Sequence, residues 1–269
     1  MTFLYELPHG LMALLIVGAC VSAALAAQPL LHRLWPPGIP DNRLNNAVTF
    51  TQMLVAVAAL LTAFCAVTVW TSFGNAGRAA SDEANEASQL SWDLSVYATP
   101  EALRTRAALE GYLNAVIEKE WPLLARHEES EEAAERLHEV FRAASRIEAS
   151  TGRETVLLGE IWARANGIAK CRRSRLHAAG SGVPGTLWAV LGLCAVLIFC
   201  GASILPPTRV TRTLIGLLAT SLGLVLFFIV AMDHPFSGKE SVGPRAFRSA
   251  LDHMKHWDET AAPSRAATP

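Results

Sequence analysis

The chain has 269 residues, of which 51% are apolar and only 17% charged, against about 25% charged in an ordinary soluble domain. Lys plus Arg number 23 and Asp plus Glu 24, so the net charge of −1 gives no electrostatic reason to expect nucleic acid as a partner. The charges are also unevenly spread. Residues 75–182 hold 14 of the 23 basic and 17 of the 24 acidic side chains, which leaves the rest of the chain charge-poor.

A bilayer core about 30 Å thick needs roughly 20 apolar residues in a helix, because each residue adds 1.5 Å and every backbone polar group must be bonded internally. In chain order, four runs meet this requirement: Leu11 to Ala27, Val48 to Phe73, Thr186 to Leu205 and Thr213 to Met232. None contains Asp, Glu, Lys, Arg or His, whereas a soluble core helix of that length carries a charged face. The first run ends Ala24-Leu25-Ala26-Ala27-Gln28, a small-residue pattern that a signal peptidase accepts, so a cleaved leader is its competing reading. Residues 1–10 contain no Lys or Arg and do contain Glu6, so the positive n-region is missing and a retained helix is expected.

The second run carries Thr51, Val55, Ala58, Thr62, Cys65, Val69 and Ser72 at steps of three and four, a narrow stripe of small or weakly polar side chains. Such a stripe suits either the wall of a pore between subunits or close packing against another helix. Beyond it, Ala80, Ala84, Ala87, Leu90 and Leu94 keep helical spacing, so the second membrane helix is expected to continue into the polar block.

The block itself reads as helical. Thr99-Pro100-Glu101 supplies a cap, a proline at the first helical position and an acid at the positive dipole end. The helix that starts there runs through Leu109, Leu113, Val116 and Ile117 to Trp121, where Pro122 is expected to kink or end it. Ser130 opens another helix with Leu137, Val140, Phe141 and Ile147 near one face, and Thr151-Gly152-Arg153-Glu154 is a capping box for a fourth. That fourth helix ends in Lys170, Arg172, Arg173 and Arg175, cations that suit a helix C-terminus and an anionic membrane face. After the fourth span, Pro244 opens an amphipathic segment with Phe247, Leu251 and Met254 on one side, and residues 260–269 are expected to be an unstructured tail.

Orientation follows from basic residues near the helix ends. Arg78, Lys170, Arg172, Arg173, Arg175, Lys239, Arg245 and Arg248 share the side of the polar block, against Arg33, Arg43, Arg209 and Arg212 opposite. The excess places the block and both termini in the cytoplasm. Cys20, Cys65, Cys194 and Cys200 lie within the apolar runs and Cys171 stands alone in the block, with neither disulfide nor metal spacing.

Enzymatic motifs are not found: the sequence has no phosphate-binding glycine loop, paired-Cys motif, serine elbow or His-Glu-x-x-His. No cofactor is expected. His253 and His256 sit one helical turn apart near Asp252 without a third ligand at fixed spacing, and Glu128, Glu129, Glu131 and Glu132 lack the alternation and turn glycine of a calcium loop. The fourth span closes on Asp233-His234-Pro235-Phe236-Ser237-Gly238. Pro235 stops the helix, Gly238 permits positive φ, and Asp233 either marks a simple helix stop, an acid at a pore mouth, or a partner for Arg172, Arg173 or Arg175.

Taken together, Glu83 and Glu86-Ala87, Tyr112 with Glu120-Trp121-Pro122, Arg175-Leu176, Pro184 with Trp188, and the Asp233 to Gly238 segment resemble the bacterial bestrophin-like membrane family, whose members carry a domain of unknown function. Order and spacing over roughly residues 45–248 carry the resemblance. A link to true bestrophins implies a homo-oligomer, of five subunits in that case, with the second span of each subunit along an ion path and the insert forming a vestibule. The chain departs from bestrophins in lacking their aromatic constriction and an acidic calcium clasp, so neither ion choice nor calcium gating is carried over.

The expected fold is therefore all-α: an integral protein of the inner membrane with four transmembrane helices and a helical cytoplasmic insert between the second and third. Expected segments are 1–74 and 183–233 in the membrane, 75–182 and 234–259 in the cytoplasm, and the tail. The leading functional expectation is a passive ion channel with Thr51, Val55, Ala58, Thr62, Cys65, Val69 and Ser72 on the pore wall. Glu83, Glu86, Glu120, Asp233, Pro235 and Gly238 would face the vestibule or mouth, and Arg172, Arg173 and Arg175 the membrane. Its partners would be the bilayer, inorganic ions and further copies of itself. The alternative is a membrane-anchored scaffold that uses the polar block to bind a cytoplasmic protein.

Overall fold

A computed structural model describes residues 7–34, 40–238 and 241–265 of the chain. Glu6, Lys239 and the last four residues of the expected tail lie outside the described residues. The described chain is helical, with no strands: α1 (His9–His32), α2 (Asp41–Tyr97), α3 (Pro100–Ala115), α4 (Trp121–Leu124), α5 (Glu131–Ala144), α6 (Gly152–Gly180), α7 (Gly185–Ala202), α8 (Arg209–Asp233) and α9 (Arg245–Arg265). Four of the helical stretches are long and apolar enough to cross a membrane, and they contain the first, second and fourth charge-free runs whole and the third as far as Ala202. The chain divides into two compact units, an apolar one of Met1–Ser72 with Gly182–His234 and a polar one of Phe73–Ser181 with Pro235–Pro269.

In the apolar unit the helices meet through small side chains. Along α1 and α8, Ala24 and Ala219 are buried against each other's neighbours, and Gly223 lies so close to Val17 that a Cβ on it would stand 3.0 Å from the Val17 Cα. Along α2, Cys65 and Val69 pack with Leu191 of α7 and Ile229 of α8. Thr51 packs against Gly201, and its hydroxyl donates to the Ala47 carbonyl at 2.8 Å. The α7 helix stops at Ala202, three residues before the apolar run ends, where the Ser203 hydroxyl turns back to the Cys200 carbonyl at 2.7 Å.

The polar unit has a larger core, built where the apolar faces of α2, α3, α5, α6 and α9 converge. Leu90, Leu94, Leu109, Leu113, Val140, Ile161, Ile168 and Phe247 are fully buried in it. Fully burying one such side chain is worth about 1.5–3 kcal/mol. Each helix starts where local chemistry allows it. Thr99 accepts from the Ala102 amide at 3.3 Å, Ser130 from Ala133 at 3.2 Å, and Thr151 and Glu154 complete a reciprocal box. These contacts satisfy amides that have no partner inside the helix.

Pro122 sits in the first turn of the short α4, which ends two residues later at Leu124. The chain widens into a π-helical turn over Val116–Glu120 and continues as α4. Proline lacks an amide hydrogen and crowds the carbonyl four residues back, and the wider turn relieves both problems, with the Trp121 amide donating to Val116. The last helix, α9, runs to Arg265, past the residue 260 at which the tail is expected to begin.

Candidate functional site

The feature that organises the polar unit is a buried cluster of charges. From α2 comes Glu83, from the π turn Glu120, from α6 Arg172 and Arg175, and from α3 Tyr112. Glu83, Glu120, Tyr112 and Arg175 are 0% exposed and Arg172 8%. The Arg175 guanidinium forks onto Glu83, Nε donating to Oε2 at 2.8 Å and Nη2 to Oε1 at 3.1 Å, and Nη2 also donates to Glu120 Oε1 at 2.6 Å. Arg172 donates to the other Glu120 oxygen through Nη2 at 2.5 Å and Nε at 3.2 Å. The Tyr112 hydroxyl completes the set by donating to Glu83 Oε1 at 2.5 Å.

Two arginines against two glutamates leave the cluster electrically balanced, which is the condition for charges to be tolerated out of water. The remaining Arg175 nitrogen, Nη1, has no hydrogen-bond partner, but its guanidinium carbon lies 5.3 Å from the Trp121 ring centroid and 5.5 Å from that of Phe247. The ring faces supply the electron density that a polar acceptor would otherwise give. Burial alone would lower the Arg175 pKa, but Glu83, Glu120 and Tyr112 outweigh it and hold the guanidinium more firmly charged than a free one. Arg172 is raised in the same way, its burial being outweighed by Glu120. The Tyr112 phenol is pushed well above its usual range, first by burial and then by the Glu83 carboxylate. The cluster uses its charges chiefly on one another. It clamps α2, α3, the π turn and α6 in one register.

This arrangement corrects several sequence expectations. Glu83 and Glu120 face no vestibule, because neither carboxylate reaches solvent. Arg172 and Arg175 do not face a membrane, being consumed by those carboxylates, while Arg173 alone of the three is exposed. Glu86 is half-buried, pairs with Arg164 Nη1 at 3.4 Å and presses on Gly167, where a Cβ would stand 2.9 Å from its Cδ. Asp233 does not pair with the arginines; its Oδ1 accepts the Val183 amide at 2.6 Å within the apolar unit, capping the start of the chain's return to α7. Pro235 is buried in the polar unit and its carbonyl accepts the Val242 amide at 2.8 Å, while Gly238 takes the positive φ of 86° that its type allows.

The α2 stripe is turned into its own subunit. Ala58, Thr62, Cys65 and Val69 are at most 5% exposed, and Thr51, Val55 and Ser72 are half-buried. Ala58, Thr62, Cys65 and Val69 are covered within one subunit, as close helix packing requires, while Thr51, Val55 and Ser72 keep part of their surface open. The exposed side of α2 carries Met53, Leu60, Phe64 and Val67.

Helical phase contained the missed signal. Ile161, Ala165, Ile168, Arg172, Arg175 and Ala179 form one series of threes and fours, and so do Thr105, Leu109, Tyr112, Val116 and Glu120. A charge that continues an apolar series sits on the buried face and needs an opposite charge there. Glu83 likewise stands in phase with Ala76, Ala80, Ala87 and Leu90.

Comparison with known proteins agrees with the fold. No protein of curated function matches the chain. A solved crystal structure of a membrane protein, 12% identical, superposes with a TM-score of 0.64 over 91% of this chain and 96% of that one, which shows a shared fold. The Bestrophin-like domain matches residues 18–247, nearly the whole of both units, and on that match the chain belongs to the Bestrophin-like family of membrane proteins.

Proposed function

We propose that the protein is a passive ion channel formed by several copies of the chain in the bacterial inner membrane, with the polar unit and both termini on the cytoplasmic side. Family membership over residues 18–247 is the observation that carries the reading. The physical pattern supports it: the four apolar runs hold no ionisable relay of the kind that coupled transport uses, and downhill movement through a pore needs none. Within one subunit the small residues of α2 are packed against α7 and α8, so the ion path runs between subunits. The wall of that path is the opposite side of α2, where Leu60, Phe64 and Val67 are 75%, 62% and 65% exposed. An apolar wall of this kind passes ions at a dewetting constriction that widens or wets to conduct.

Purified protein in planar bilayers is expected to give discrete currents, with Phe64→Ala raising the unit conductance and Phe64→Trp lowering it. Cross-linking in detergent should yield a ladder ending at a closed ring. Monomers alone, or silence from repeated well-folded preparations, would remove the channel reading. A tag inserted near position 140 should stay shielded from impermeant reagents on intact cells, and labelling there would reverse the orientation.

A further inference from the structure

The polar unit contains a second group of basic residues, which shares Arg172 with the buried cluster. At the C-terminal end of α6, a pocket of about 440 Å³ is lined by Glu129, Arg172, Arg173, Leu176, His177, Gly180 and Ser181. That volume lies in the range of small-ligand sites. Arg173 and His177 are one helical turn apart and both are exposed. Among the described residues Arg173 makes no hydrogen bond or ion pair. Arg172 spends Nε and Nη2 on Glu120 and the Ser130 carbonyl, and its Nη1 is left without a protein acceptor.

We propose that this pocket binds a phosphate-bearing anion, either the headgroup of an acidic lipid or a free phosphate ester. Arg173 offers a whole guanidinium, Arg172 one remaining N–H edge held rigid by its buried pairing, and His177 a ring nitrogen one turn on. Planar forks matched to tetrahedral oxygens are the usual means of holding phosphate. The helix end works against an anion, because the last carbonyls carry the negative end of the dipole. Two of those carbonyls are tied off: Ser181 Oγ donates to Ala178 at 3.0 Å and the His127 ring is bonded to the Ala179 carbonyl. His127 is held in the left-handed region, φ 59°, to make that contact. The one acid in the lining, Glu129, is exposed on the loop before α5 and opposes binding. In chain order the pocket's last residue, Ser181, precedes α7 by four positions and the third apolar run by five.

The test uses full-length protein in detergent, titrated with dioctanoyl phosphatidylglycerol and separately with glycerol 1-phosphate, and reads the melting temperature against concentration. At least one probe is expected to raise it to a plateau. Arg173→Gln should raise the half-saturating concentration at least about tenfold, the loss of one charge-assisted hydrogen bond. Glu129→Gln should lower that concentration, and Arg104→Gln, an exposed arginine of α3, should leave it unchanged. A response to the lipid alone assigns the site to the membrane, and a response to both assigns it to the phosphate itself. No shift with either probe, or equal midpoints for wild type and Arg173→Gln when both melt alike without ligand, overturns the proposal. Conduction is not needed for any of these readouts, so they stand apart from the channel reading.

Discussion

The two units solve the problem of helix packing with different chemistry. In the apolar unit, contacts run through Ala24, Ala219, Gly201, Gly223 and Cys65, and the described hydrogen bonds between its helices are few: His32 to the Ser203 carbonyl and Val183 to Asp233. In the polar unit, contacts run through Leu, Ile and Phe, with four charges and a phenol buried among them. The contrast follows from the solvent. Where lipid surrounds the helices, burying a leucine gains little because the bilayer is already apolar, so close approach of backbones decides which helices meet. Where water surrounds them, burial drives association, and a buried charge set restricts the arrangements that satisfy it. One helix serves both regimes: along α2 the inward positions Ala58, Thr62, Cys65, Val69, the half-buried Ser72, Ala76, Ala80, Glu83, Ala87, Leu90 and Leu94 follow each other at steps of three and four.

If that contrast is right, the largest single effect lies in the charge cluster. Arg175→Met is expected to cost about 3–5 kcal/mol, because it strands Glu83 and contributes to stranding Glu120 without a cation. Trp121 is 5.3 Å from the guanidinium and its fluorescence reports the loss during denaturant unfolding. Adding Glu83→Gln to Arg175→Met should recover a good part of the cost, since the removed charge no longer needs a partner. An Arg175→Met protein as stable as wild type would show that the cluster is ornamental.

The apolar unit makes the matching prediction in the opposite currency. Gly223→Leu must push α8 away from the Val17 backbone, and overpacking of this kind costs about 1–3 kcal/mol. Arg175→Met, by contrast, should leave proteolytic protection of the α1 and α8 segments in detergent unchanged. Loss of protection in both units from either variant would mean that they fold as one and that the contrast is superficial.

A smaller effect tests the phenol. Tyr112→Phe removes a donor to Glu83 that Arg175 still satisfies, so its cost at neutral pH is about 1–2 kcal/mol. The sign with pH is fixed. Burial and Glu83 raise the Tyr112 pKa in the folded state, so its contribution is complete below the unfolded value of about 10 and is lost as pH rises through the folded one. The gap between wild type and Tyr112→Phe should therefore narrow in melts above about pH 10.

What could be read from the sequence depended on the range of the interaction. The four spans were legible because length and absence of charge are properties of the run itself, and the caps at Thr99, Ser130 and Thr151 because their partners are three residues away. The ion cluster was not, because Glu83 meets Arg175 across 92 positions and Glu120 meets Arg172 across 52. Taken singly, each of these charges suits a surface, since an isolated charge reads as solvated. Phase along the helix was the available correction. The α2 stripe shows the converse limit: small residues satisfy a pore wall and a packed seam equally, and only the neighbouring helices decide between them.

The smallest expected effect tests whether the polar unit relies on local signals as well as its core. Thr151 accepts the Glu154 amide at 3.2 Å, and Glu154 returns the bond to the Thr151 amide at 3.1 Å and to that of Ser150 at 2.7 Å. Thr151→Ala removes one acceptor at an exposed site and should cost about 1 kcal/mol, with Thr151→Gly costing only about a few tenths. Because α6 carries both arginines of the cluster at its far end, the loss should appear as faster hydrogen exchange confined to the first turn, with Arg172 and Arg175 amides still protected. Exchange that spread along the whole of α6 would mean that the box nucleates the helix, and that the buried charges are positioned by its start rather than by the core around them.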